Sequence, residues 1–148
     1  MCLVVVKGTN KRVAKVDIFV YKCLDYFYGN FCTPYCTPFY FFPIFFENGE
    51  YVLKVKNFTY NKSSNNKRVE EGIHSYYNKS AAQKLEKDGI EKHYAIIPKG
   101  AKYYIGNNGD VVSTELIVFE TEEHYKKYVE KSEKICIIDE KSLSLQKI

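Results

Sequence analysis

Apolar positions in this chain fall mostly in short runs rich in Val, Ile, Tyr and Phe, the pattern of strands, and two stretches carry helix signals instead. Residues 2–6 and 16–24 are nearly continuous apolar runs around a polar loop at 7–12 that contains Gly8 and Asn10. Their lack of alternation predicts two central strands covered on both faces. Residues 25–38 are aromatic but broken by Gly29, Pro34 and Pro38, which predicts a folded loop. An Asn48-Gly49 pair between the β-prone runs 39–46 and 51–55 is the strongest hairpin signal in the chain. Pro43 cannot donate to a ladder, so its strand belongs at an edge or a bulge. The polar segment 57–68 predicts an exposed loop.

From Val69 to Glu120 strand, helix and turn signals follow one another without conflict. Residues 72–76 predict a short strand, and Asn78 or Ser80 caps a helix that Gly89 closes. A strand over 90–97 stops at Pro98-Lys99-Gly100, and 101–105 forms the next. Gly106-Asn107-Asn108-Gly109 then turns the chain into a strand over 111–119. Thr121 caps a second helix with Glu122 and Glu123 in its first turn, lysines later, and Tyr125, Tyr128 and Val129 on its docking face. Residues 134–138 predict a last strand. The sum is a single α+β domain over 1–138, a mostly antiparallel sheet of seven or eight strands with two short helices, followed by a frayed tail over 139–148.

Composition narrows the function classes. The chain has 148 residues, 45% hydrophobic and 16% aromatic, enough for one packed core. A net charge of +4 is spread along the chain, and Arg12 and Arg68 are its two arginines, so a dedicated duplex reader is not indicated. No apolar run reaches the length of a membrane span, and no leader is indicated. Five cysteines, an odd number, in a chain this size point to reduced thiols in a cytoplasm.

Candidate chemistry is sparse. Cys32 and Cys36 with Cys23 and His74 give one loose pair rather than the two tight pairs of a structural zinc site, so no metal is expected. His74 stands just before the capped helix, at a strand end where a side chain is often exposed, and is the strongest single candidate for ligand contact. The aromatic run 26–46 is read as packing, with a stacking platform for single-stranded nucleic acid as the alternative.

From Gly72 onward the order of landmarks resembles the C-terminal half of the ADP-ribosyltransferase fold. The landmarks are His74-Ser75 on a strand, a helix with small residues, the Ile97-Pro98-Lys99-Gly100-Ala101 turn, and Glu115 ahead of aliphatics. The resemblance implies NAD as cofactor, Tyr21-Lys22 on the first nicotinamide-pocket strand, and His74, Ser75 and Glu115 as catalytic residues, the carboxylate supporting positive charge on the ribose. The whole chain is also similar to short accessory proteins of phages and prophages of gut bacteria. The matching segments are Cys2-Leu3-Val4-Val5, 11–15, 72–76 and 97–106. This second resemblance implies a mobile-element protein in a bacterial cytoplasm.

No Arg or His lies beside Tyr21, and Ser113 stands two before Glu115, so a catalytic set is incomplete. The leading expectation is therefore a non-catalytic binding protein without a cofactor, holding a host protein or a small nucleotide-like ligand through Tyr21, Lys22, His74 and Tyr76. The NAD-using enzyme and the single-strand binder stand behind it.

Overall fold

The Val/Ile-rich run after Lys15 becomes the strand on which the sheet is assembled. The computed structural model describes residues 3–5, 11–27, 30–33, 36–37, 42–63, 66–84, 90–132 and 134–148. In chain order it has β1 (Leu3–Val4), β2 (Arg12–Val13), β3 (Asp17–Phe27), β4 (Asn30–Thr33), β5 (Cys36–Thr37), β6 (Phe42–Ile44), β7 (Glu50–Lys54) and β8 (Thr59–Ser63). There follow β9 (Asn66–Tyr76), α1 (Lys79–Gln83), β10 (Ile90–Ile97), β11 (Lys102–Ile105), β12 (Asp110–Ser113), β13 (Glu115–Phe119), α2 (Glu122–Lys131), β14 (Ile135–Ile138) and β15 (Leu145–Lys147). The domain is α+β and mostly antiparallel, with β14 beside β3 the parallel exception among the described pairs.

The principal path through the sheet runs β2-β11-β12-β9-β3-β10-β13-β7. β10 lines one edge of β3 from Ile18↔Ile97 to Asp25↔Ile90. One face of these strands carries Ile18, Val20, Leu24, Ala95, Ile97, Leu116, Val118 and Leu53, all buried in the main core. On the opposite face α2 lays Tyr125, Tyr128 and Val129 over Ile96, Phe119 and Phe19. Thr121 caps this helix by accepting the His124 N–H, and Asp17 pins it by accepting from the Tyr128 hydroxyl at 2.8 Å and the Ser132 hydroxyl at 3.3 Å.

Several expectations are corrected. Among the described residues the sheet takes fifteen segments rather than seven or eight, because stretches expected as loops pair as strands. β3 continues through Phe27 and turns back as β4, so 25–38 is not simply a loop. Within the polar segment 57–68, Thr59–Ser63 pairs as β8 with the start of β9, a ladder that supplies the backbone's partners. The Asn48-Gly49 turn exists, both residues at positive φ, but its pairing stops at Glu47↔Glu50. β7 pairs with β13 instead, and the Pro43 strand, β6, pairs with β4 alone among the described residues. The run 111–119 divides at Thr114 into β12 and β13, which join different neighbours. Residues 139–148 do not fray: Asp139 opens a turn and β15 returns along β14, while the Arg12 guanidinium donates to the Leu143 carbonyl at 2.6 Å. The expected helix closure at Gly89 lies outside the described residues. No described helix is long and apolar enough to cross a membrane.

Candidate functional site

A crevice arises where the neighbours of β3 diverge. Its second edge is shared in succession by β14 at Asp17 and Ile18, by β9 at Tyr21, and by β4 from Asp25 onward. Between the first two, at Phe19 and Val20, neither neighbour pairs with the strand. Strands that separate from a common partner leave a gap that backbone cannot close, and side chains line it. The result is a cleft of about 370 Å³.

One wall of this cleft is Phe19 and Tyr21 from β3, and another is Ile137 and Ile138 from β14. Tyr77 and Lys79 enter from the start of α1, and Asp139, Glu140, Lys141 and Gln146 from the hairpin that β15 completes. Tyr21 is held by its neighbours: Phe19 meets it edge-on at 4.9 Å, Tyr94 at 5.9 Å, and the Lys92 ammonium lies 5.3 Å above its ring. Burial, then the Tyr94 phenol, raises the pKa of Tyr21 above the ordinary value. Burial also raises that of Tyr77, helped by the carboxylates of Asp110 and Glu140. Both rings therefore stay neutral at physiological pH and present apolar faces with a polar tip. Asp139 has its carboxyl held below the usual range by the Lys141 N–H and the Ser142 hydroxyl, so it remains charged.

A second, more polar groove of about 650 Å³ adjoins this cleft and shares Tyr77 and Glu140 with it. Its walls are α1 and the turn before β12. Gly109 makes the close approach possible: at φ +77°, its carbonyl accepts the N–H groups of Tyr77 and Asn78, and an added Cβ would lie 2.6 Å from that of Asn78. Asn78 is fixed in turn, since its Oδ1 caps α1 at the Ala81 N–H.

The sequence candidates are not gathered in one place. Successive residues of a strand face opposite sides, so His74 and Ser75 part company. Ser75 lies on the core face opposite Val111, and His74 on the other face opposite Val112. Both are buried, 1% and 8% exposed: β9 ends at Tyr76 as expected, but β12 pairs alongside it, with Val111 in the main core on one face and Val112 in a second buried cluster on the other. The expectation of an exposed imidazole at a strand end is thereby corrected. Lys22 is 1% exposed on the core face, beside His93 in the register of β3 with β10, and donates to the His74 carbonyl at 2.6 Å. It holds β9 to β3 and lines neither of these hollows. Glu115 stands on β13, three strands from β9, and faces outward to Lys54 at 3.6 Å. Tyr21 lines the cleft, and Tyr76, paired with it, lines the adjoining groove.

Sequence reasoning did not single out Tyr77, Lys79, Glu140, Lys141 or Gln146. They meet only because β14 leaves β3 and β15 returns, a long-range arrangement without a local motif. The nearest signal was Tyr76, one residue from the ring that both hollows share. Cys23 donates its thiol toward the Ala82 carbonyl at 3.7 Å, while the side chains of Cys32 and Cys36 lie outside the described residues. Among the described residues no His, Cys, Asp and Glu cluster is placed to hold a metal ion. No protein-family model, curated protein or solved structure matches the chain.

Proposed function

We propose that this chain is a non-catalytic binding protein that holds a small nucleotide-like ligand in the cleft beside Tyr21, in the bacterial cytoplasmic setting that its phage-protein resemblance implies. One observation carries the reading. Of the residues selected for ligand contact, Tyr21 alone lines the crevice at the divergence of the sheet, facing aliphatic and aromatic walls with Lys79 and Lys141 within the same lining. An aromatic face backed by apolar walls accepts a planar base, and a few polar groups then orient it.

The NAD-using alternative receives less support, since His74, Ser75 and Glu115 occupy two faces and separated strands. The single-strand alternative receives less as well. The aromatic run 26–46 that it invokes has its side chains from 26 to 43 outside the described residues, and of the remainder Ile44 is buried in the core and Phe46 stacks on His93 at 5.7 Å.

Thermal shift and calorimetry against a panel of nucleobases, nucleosides and nucleotides test the reading. A ligand present at a hundredfold its Kd should stabilise the fold by about 2.7 kcal/mol. Tyr21→Ala should weaken binding by about tenfold or more, in line with the stacking contribution of one ring, while leaving the circular dichroism unchanged. Absence of any shift across the panel, or equal affinity in Tyr21→Ala, would overturn it.

A further inference from the structure

The two hollows that share Tyr77 and Glu140 differ in chemistry, and the difference selects among nucleotide-like molecules. The first is walled by Phe19, Tyr21 and the Ile137-Ile138 pair. The second sets three asparagines, Ser80, Lys84 and Glu140 around Ala81 and two tyrosines, and so offers more polar surface than the first. Within it the Asn78 carboxamide oxygen is committed to the helix cap, whereas Asn107, Asn108 and Ser80 present exposed polar side chains. A ligand spanning both therefore has a flat apolar end and a polyhydroxylated end, joined over Tyr77.

Charge decides the rest. In the first hollow Lys79 and Lys141 are balanced by Asp139 and Glu140, and in the second Lys84 is balanced by Glu140. Sites built for phosphate concentrate positive potential, and neither hollow does. A phosphate at the junction would meet the Glu140 carboxylate, whereas a pair of sugar hydroxyls would donate to it. We propose that the ligand is an unphosphorylated nucleoside, with its base against Tyr21 and its ribose between Glu140 and the Asn107-Asn108 turn. This rests on the base-binding reading given above.

Calorimetric titration of the full chain with adenosine, guanosine, uridine and cytidine, each beside its free base and its 5′-monophosphate, tests it. For the best-bound base, the nucleoside should bind about tenfold tighter than either the base or the monophosphate, the amount expected from one or two hydrogen bonds or one charge repulsion. Asn107→Ala combined with Asn108→Ala, in an exposed turn, should weaken the nucleoside severalfold and leave the free base unchanged. Glu140→Gln should narrow the discrimination against the monophosphate. A monophosphate bound as tightly as the nucleoside, or a free base bound as tightly, would overturn this inference while leaving the base-binding reading standing. Failure of all twelve compounds would overturn both.

Discussion

Replacing Gly109 by Ala should cost more than its backbone conformation alone explains. At φ +77° an L-residue carries about 1–2 kcal/mol of strain. The new methyl would also stand 2.6 Å from Asn78 Cβ and 3.2 Å from Ala81 Cβ, closer than packed carbons approach. The turn cannot retreat freely, because the Gly109 carbonyl is bonded to the Tyr77 and Asn78 N–H groups at 3.0 and 3.2 Å. Asn78 must then move and loosen its cap on α1, worth about 1 kcal/mol. The expected total is about 2–3 kcal/mol, or roughly 5–10 °C in Tm for a chain of this size. Gly100→Ala supplies the control: its φ is +95° but no heavy atom lies within 4 Å of the added methyl, so strain alone should appear. Urea unfolding followed by circular dichroism, with unchanged m-values, measures both. In an Asn78→Gly background the closest contact is gone, and Gly109→Ala should fall back toward the Gly100→Ala cost, a coupling of about 1 kcal/mol. Equal costs for Gly109→Ala and Gly100→Ala would refute the packing of this turn against α1.

Asp17→Ala removes the acceptor for the Lys99 N–H and for the Tyr128 and Ser132 hydroxyls. It should destabilise the fold by about 2–3 kcal/mol and release α2 amides to hydrogen exchange before those of β10, whereas a change under about 0.5 kcal/mol would show that the helix is held by its aromatic contacts alone. Burial raises the pKa of Tyr21, Tyr77, Tyr94, Tyr125 and Tyr128 in the folded chain. Since the folded values exceed the unfolded ones, the stability they contribute is complete below about pH 10 and is lost as the pH rises through the folded values. Phenolate absorbance in the native chain should therefore lag behind that of the chain in denaturant, and coincident titration curves would contradict this account.

The parts of the fold that were legible in the sequence are those specified locally. The run from Ile90 to Ile97 is one strand to the residue, Thr121 caps the second helix as predicted, and of the two candidates Asn78 and Ser80 it is Asn78 that caps the first. Gly100 and Gly109 adopt the positive φ that their turns require. Where pairing is set by distant partners, local pattern misled. Asn48-Gly49 marks a true turn, yet Tyr51 to Lys54 find their ladder on β13 because Leu53 opposite Leu116 completes the core there. The polar Thr59 to Ser63 stretch reads as loop but becomes a strand against β9. The candidate site suffered from the same blindness. Tyr21 was named because the ADP-ribosyltransferase resemblance placed it on a pocket strand, while His74 lies on a strand that ends at Tyr76 as expected and is buried because β12 pairs alongside it, a partner no local pattern announces. Glu140 and Gln146 lay in what looked like a tail, and only the pairing of β15 with β14 brings them to Tyr21.

The most direct test of the cleft is an amide chemical-shift titration of the full chain with the best-bound nucleoside from the panel. Saturable perturbations should centre on Phe19–Tyr21, Tyr76–Ala81, Asn107–Gly109 and Ile138–Lys141, with Glu115 and the β13 amides unmoved. Perturbations centred on Glu115 and His74 instead, or none at saturating ligand, would contradict a binding site at the divergence of β14 and β9 from β3.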